Sequence, residues 1–401
     1  MTRATLFLVE ISRLLLKEID PAKIRSPRVR NEVMALLELA KVGTSLEIPE
    51  DLRELAQRRK VPRFVRKIVL LDIPAANAFA FTKDGSPTIA ITLGVPMITR
   101  ALFLAAISGA EVFHGMHDVH YLRTPYTPSK HCDWSGLIDL LTTFSLEKLY
   151  AWAESLPEMP QTADNDGRGD LAIILSMQAW IFIVFHELGH HASGHVEETA
   201  GRHANLALAE IEESIAANAS LAKPSDLLFE NTPVAAGLSE SLLLRHAKEL
   251  EADQVAIALM YQNFFRGDPQ VKLRSTNFKK MTTISERSRT RLWLVTTGLV
   301  FLLFEAASRG RASTSHPRPL FRLQHLLEFT FMLADTVLPS ASRNEFDIGF
   351  GDAMRDLTSI ASHLGVHDLG VPQLDEALYK NRLMTIRPSL SRVLKNASPK
   401  E

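Results

Sequence analysis

The spacing of apolar residues along the chain predicts a mainly helical protein with one small β region. Apolar positions recur at helical intervals within residues 1–60, from Pro96 to about Phe113, and through most of the chain after Leu171. The later helices are predicted at about 171–195, 203–220, 239–264, 288–308 and 318–338, with two more after residue 351.

The β region is predicted between residues 67 and 93. Lys67–Ile73 and Thr88–Leu93 are rich in β-forming residues, and a turn cluster over residues 83–87 follows Ala76–Phe81. Residues 76–93 are therefore predicted to form a hairpin. Residues 119–169 are irregular and rich in proline, with one helical stretch at 137–155, which indicates an insertion or lid.

Composition narrows the class of protein. The chain has 401 residues, 46% of them hydrophobic, with 45 Lys and Arg against 46 Asp and Glu and a single Cys. This composition excludes a disordered chain, and one Cys excludes an internal disulfide. We therefore expect a folded protein of a reducing compartment, with a cytoplasmic location. Basic flanks surround an acidic middle, but no nucleic-acid-binding motif accompanies them, so no nucleic-acid partner is predicted.

The most apolar runs are too short to cross a membrane. Leu171–Phe185 and Leu292–Phe304 have fifteen and thirteen residues, whereas a transmembrane helix needs about 20. They are predicted to be buried core helices. Met1–Asp20 is predicted to be an amphipathic helix rather than a signal peptide. Arginines on both sides of the second run leave weak interfacial membrane contact as an open alternative.

The strongest chemical signal is the sequence His186-Glu187-Leu188-Gly189-His190 inside the predicted helix 171–195. Histidines at i and i+4 project from one helix face and can bind one zinc ion. The intervening Glu187 is positioned to act as a general base toward a zinc-activated water.

Two positions compete for the third ligand. His195 follows the motif, but its spacing from His190 is one residue short of the three-histidine pattern. Alternatively Glu249 ligates zinc, and Asp253, one helical turn later, holds a ligand histidine in the correct tautomer. Elsewhere His114, His117 and His120 form either a second metal site or part of a polar loop.

Four segments in the same order resemble the gluzincin metallopeptidases. They are Asn77-Ala78-Phe79-Ala80, the run from His186 to His195, Glu249-x-x-Ala252-Asp253, and the His316-Pro317 pair followed by Arg322. The likeness is to the HtpX and CAAX-prenyl-protease family with its soluble BepA-type and mitochondrial Oma-type relatives. The phage-exclusion Lit-type peptidases are more loosely similar.

This resemblance implies a mainly α (α+β) fold with a zincin-like core and a small β-hairpin. The expected division is an N-terminal helical extension at 1–62, a peptidase domain at 63–338 with the insertion 119–169, and a C-terminal helical region at 339–401. The resemblance also implies a zinc metalloendopeptidase with one Zn²⁺ per chain and a protein or peptide as substrate.

Individual residues receive expected roles. His186, His190 and Glu249 are the predicted zinc ligands, Glu187 is the general base, and Asp253 lies behind a ligand. His316, Arg322 and His246 are candidates for transition-state stabilisation or gating, and a substrate edge is expected at Asn77, Ala78 and Phe79. The alternative hypothesis is a non-hydrolytic zinc-binding regulatory or phage-defence scaffold.

Overall fold

The structure is a computed structural model, and it describes eleven helices and strands together with short stretches outside them. The described residues are 20–24, 67–71, 78–83, 86–108, 112–116, 168–196, 240–261, 284–308, 317–366 and 376–386, with the single positions 27, 30, 34, 148 and 151. The predicted helix 203–220 and most of the predicted extension 1–62 and insertion 119–169 lie outside these residues.

Three strands form one sheet in the order β1-β3-β2. They are β1 (Lys67–Leu71), β2 (Ala78–Lys83) and β3 (Ser86–Thr92). The central strand β3 pairs in parallel with β1 and antiparallel with β2, so the predicted hairpin is confirmed with its first strand shifted by two residues. Ile89, Ala90 and Ile91 of β3 are buried, as expected for the middle strand of a sheet.

Seven helices make up most of the rest of the described chain, which confirms the mainly α fold class. They are α1 (Gly94–Ser108), α2 (Arg168–Ala192), α3 (Glu240–Tyr261), α4 (Glu286–Ser308), α5 (Pro319–Val337), α6 (Ser340–His363) and α7 (Glu376–Ile386). Helix α1 ends five residues before the predicted Phe113. That residue has a φ of 60°, which a helix cannot contain, and Gly115 follows with a φ of 80°.

The described residues belong to two compact units. One contains the sheet, the start of α1 as far as Ile98, and the chain from His190 to the end of the turn after α2. The other contains the rest of α1, α2 as far as Gly189, and helices α3 to α7. The domain boundaries expected from the sequence remain predictions.

Helix α4 forms the core of the helical unit and packs mainly against α6. Its residues Leu292 to Leu303 are buried, including Trp293, which confirms the prediction of a buried core helix. None of the helices in the described part of the chain is long and apolar enough to span a bilayer.

Helix α6 begins eleven residues earlier than the sequence indicated. Gly349 and Gly351 in its interior weaken the helical pattern, because glycine is the poorest helix former after proline. A Cβ at Gly349 would collide with the backbone carbonyl of Arg287 on α4. Close contact between two helices therefore explains a glycine that the sequence pattern made look like a helix boundary.

Candidate metal centre

Helix α2 carries both histidines of the motif. His186 and Glu187 are buried at 7% and 5% exposure, and His190 follows one turn later on the same continuous helix. The apolar residues before the motif, among them Phe182 and Phe185, are buried as well. The apolar run thus brings a polar motif into the interior, where a bare charge is costly and a ligand or partner is required.

The carboxylates come from the next described helix, α3. Glu249 and Asp253 are spaced i and i+4, and their exposures are 9% and 0%. Gly189, inside the motif on α2, allows the close approach of α3. A Cβ there would lie 2.9 Å from the Cα and from the carbonyl oxygen of Ala252. The glycine of the motif is therefore a packing requirement.

His186 lies between the two carboxylates. Its Nδ1 is 2.9 Å from Oδ1 of Asp253, and its Nε2 is 3.2 Å from Oε2 of Glu249. A hydrogen on Nδ1 can be donated to Asp253, which leaves the lone pair of Nε2 on the side of Glu249. This is the orientation that a metal-ligating histidine requires.

The residues fit a divalent metal ion. His186, His190 and Glu249 each offer one ligand atom, and these atoms lie within 4.8 Å of one another. Two ligands of a tetrahedral zinc ion with bonds of about 2.0–2.1 Å lie about 3.3 Å apart, close to the separation of His186 Nε2 from Glu249 Oε2. Nitrogen and carboxylate oxygen are ordinary zinc ligands, so the cluster could hold this ion.

Arg322 on α5 is the third part of the site. Its Nε and Nη2 donate to the two carboxylate oxygens of Asp253 at 2.8 and 2.7 Å, and its Nη1 is 3.5 Å from Oε2 of Glu249. The guanidinium also lies over the ring of Phe301, 5.2 Å from its centroid. Arg322 is 7% exposed, so this is a buried, bidentate ion pair.

These contacts set the protonation states. Burial alone would raise the pKa of Asp253, but Arg322 and His186 together lower it to about 2, so Asp253 is a carboxylate. Burial disfavours the charged form of His186, yet Asp253 and Glu249 raise its pKa to about 10. Burial also opposes the charge of Arg322, whose pKa is nevertheless raised, chiefly by Asp253.

The charge of the cluster favours a cation. Glu187, Glu249 and Asp253 supply three negative charges, and Arg322 supplies one positive charge. Metal ligation requires neutral imidazoles, so binding would release the proton that the raised pKa places on His186. With both ligand histidines neutral in this way, the formal excess is two negative charges in a buried environment. A divalent ion would balance this excess.

The other predicted site residues lie at several places. His246 is buried on α3, and Ala78 and Phe79 begin the edge strand β2. His316 and Asn77 lie outside the described residues. Of the histidine triplet, His114 is exposed in a turn, and the other two are outside the described part.

His325, one turn after Arg322 on α5, belongs to no sequence motif. It is 1% exposed, and Nε2 of Gln254 on α3 donates to its Nε2 at 3.1 Å. Burial lowers its pKa to about 4, with Lys380 and Arg322 contributing and Asp253 opposing. A lone histidine on an apolar helix carries no motif, so only the packing of α3 against α5 reveals this contact.

The mainly helical fold is consistent with a zincin-like core, and the two motif histidines with Glu249 from a later helix could hold a metal ion. Residues 135–330 match the family model described as Peptidase family M48. The matched segment covers just under half of the chain and includes every residue of the metal centre described above. The match supports metallopeptidase activity, and hence hydrolase activity, in general terms. No curated protein matches the chain, and no solved structure matches it.

Proposed function

We propose that the protein is a zinc-dependent metalloendopeptidase that hydrolyses peptide bonds of protein substrates. His186, His190 and Glu249 would hold one zinc ion, and Glu187 would act as general base. The observation that carries this proposal is the cluster of three potential ligand atoms within 4.8 Å, on the segment that resembles metallopeptidases. A cytoplasmic location is part of the proposal and rests on the composition of the chain.

The proposed chemistry gives each of these side chains one role. A bound zinc ion would lower the pKa of a coordinated water and polarise the scissile carbonyl. Glu187 accepts a proton from the attacking water as the new carbon–oxygen bond forms. It then donates that proton to the leaving amine nitrogen as the carbon–nitrogen bond breaks. The intact Glu187 favours hydrolysis over a scaffold, because binding alone does not need a base.

Asp253 and Arg322 would position the first ligand. Asp253 accepts a hydrogen bond from Nδ1 of His186, and Arg322 holds both oxygens of Asp253. Because the guanidinium is committed to Asp253, we propose for Arg322 a positioning role rather than contact with the transition state. His316 and His246 remain the candidates for oxyanion stabilisation.

Strand β2 is the proposed substrate edge. It begins at Ala78 and occupies one side of the sheet, where it pairs with β3 among the described strands. An extended peptide could add to such an edge through backbone hydrogen bonds. A Pro scan of β2, read as a rise in KM with kcat less affected, would test this role.

The deciding experiment compares the full-length protein with Glu187→Gln. Both should bind one zinc ion, whereas cleavage of an unfolded protein, read as new peptide termini, should fall by about 10²-fold or more in the variant. A wild type that binds zinc but is as inert as Glu187→Gln across a broad peptide library would instead support the regulatory or phage-defence scaffold.

A further inference from the structure

The second motif histidine, His190, has a partner that the motif does not contain. Its Nδ1 lies 3.0 Å from Nδ1 of His195, and the two rings meet edge to face with centroids 5.2 Å apart. His195 is 1% exposed, so this contact is buried on the His195 side. Its spacing from His190 already favours a place at the helix end or behind a ligand over a place in the ligand set.

The turn after α2 holds His195 against His190. Gly194 has a φ of 71°, a conformation that glycine adopts without strain and that commonly ends a helix. The backbone N–H of His195 donates to the carbonyl of His190 at 2.9 Å, and that of Gly194 donates to the carbonyl of His191 at 3.0 Å. These two hydrogen bonds fold the chain back, so the imidazole of His195 reaches His190 from a fixed backbone.

The contact determines which nitrogen of His190 is available to a metal. Nδ1 faces His195, so Nε2 is the nitrogen left for coordination. A neutral imidazole that ligates through Nε2 carries its hydrogen on Nδ1. Nδ1 of His195 must then accept this hydrogen, which places the hydrogen of His195 on its own Nε2.

We propose that His195 is a positioning residue for His190, fixing its ring and tautomer as Asp253 does for His186. This inference rests on the proposed zinc site. The two ligand histidines would then be supported differently, His186 by a buried carboxylate and His190 by a neutral imidazole. A carboxylate is the stronger acceptor, so His186 would be the more strongly polarised ligand.

The test measures zinc affinity of the full-length protein by competition with a chromogenic chelator. His195→Phe keeps a ring of similar size but removes the acceptor, and it should weaken zinc binding by about tenfold or more. His195→Asn can present its side-chain oxygen near the position of Nδ1. Its zinc affinity should therefore lie closer to that of the wild type than to that of His195→Phe.

The matched control is His191→Phe. His191 is the neighbouring histidine, 5% exposed, and its Nε2 lies 3.1 Å from the carbonyl oxygen of Thr88. The substitution removes a buried hydrogen bond at the same helix end. It therefore shows how much zinc affinity is lost when the local structure alone is disturbed. Zinc affinity and the visible spectrum of the cobalt(II)-loaded protein should stay unchanged in His191→Phe and change in His195→Phe.

The outcomes separate this inference from the proposed function. A wild type without zinc affinity would refute both. A zinc-binding, active wild type would refute only the inference if His195→Phe bound zinc equally well, or if His191→Phe lost as much affinity. Should His195→Phe fail to fold, nitrogen-15 NMR of zinc-loaded wild type decides: hydrogen on Nε2 of His195 is expected, and hydrogen on its Nδ1 would overturn the proposal.

Discussion

At the scale of single residues, Arg322 keeps Asp253 ionised and in place beside His186. Asp253 has no exposed surface, and a buried carboxylate without a partner would be strongly disfavoured. Arg322 supplies two hydrogen bonds to it, and the pair in turn orients His186. The ion pair is thus best understood as a device for orientation, since a buried pair adds little net stability over apolar residues.

Removing one partner of the Arg322–Asp253 ion pair lowers the free energy of unfolding more than replacing both by apolar residues, because it leaves a charge buried without a partner. Arg322→Met leaves the Asp253 carboxylate buried, so we expect the free energy of unfolding to fall by about 3–5 kcal/mol. Arg322→Lys keeps the charge but cannot form the bidentate contact. The free energy of unfolding should therefore fall less in this variant than in Arg322→Met. Urea unfolding measures both. A Met variant as stable as the wild type would contradict the assigned burial of the charge.

The lowered pKa of His325 predicts that the free energy of unfolding depends on pH. Its unfolded pKa is 6.5 and its folded pKa is about 4, so between these values the unfolded chain binds more protons. Acidification from pH 7 to 4 should therefore lower the free energy of unfolding, by up to about 3 kcal/mol from this residue. The groups that face it are Asp253, Lys380 and Arg322.

The measurement compares urea unfolding of the wild type and His325→Gln from pH 7 to 4. The variant should lose part of the acid-induced destabilisation, whereas His363→Gln, which removes an exposed histidine at the end of α6, serves as the control. Equal pH slopes for the wild type and His325→Gln would show that His325 is not held neutral.

The residues of the site were predictable to different degrees. His186 with His190, and Glu249 with Asp253, follow from i and i+4 spacing, which places two side chains on one helix face. Arg322 came only from the family resemblance, since nothing local relates it to Asp253, 69 positions away. The His195 contact depends on a turn whose geometry one glycine sets, and no side-chain pattern reports it.

At the scale of helices, two glycines lie where a neighbouring backbone approaches closely. Gly189 brings α2 against α3, and Gly349 brings α6 against α4. Apolar spacing predicted the existence of these helices, because burial of one face is what stabilises them. Their ends were less predictable, since an interior glycine required by a neighbour looks the same in sequence as a glycine that stops a helix.

The close packing of α2 against α3 at Gly189 can be tested by substitution. A Cβ at Gly189 would meet the backbone of Ala252 and the side chain of Val255 at 2.9 and 3.2 Å, so Gly189→Ala must push α2 away from α3. We expect a loss of about 1–3 kcal/mol in the free energy of unfolding and weaker zinc binding, because His186 and Glu249 would separate.

Gly351→Ala is the matched control for this substitution. Gly351 also lies inside a helix, but no atom is within 4 Å of a Cβ built there. Alanine should therefore stabilise α6 by up to about 1 kcal/mol through its higher helix propensity. Thermal unfolding and chelator competition measure both variants. Equal stability changes for Gly189→Ala and Gly351→Ala would argue against close packing at Gly189.

At the scale of the whole molecule, the proposed metal would join parts of the chain that are distant in sequence. His186 and Glu249 are 63 positions apart and lie on different helices. A metal that binds only the folded chain stabilises it by about 2.7 kcal/mol when its free concentration is 100 times its Kd. A core of this size does not need a metal to fold, so this stabilisation should add to an already folded apo-protein.

Chelation should therefore lower the melting temperature without abolishing the folded state. EDTA should shift the unfolding of zinc-loaded wild type by several degrees, and Glu187→Gln should show the same shift because it keeps all three ligands. Glu249→Ala should lose most of the shift, since it leaves two histidines to hold the ion. A Glu249→Ala protein with full zinc occupancy and an unchanged shift would assign the third ligand to another residue.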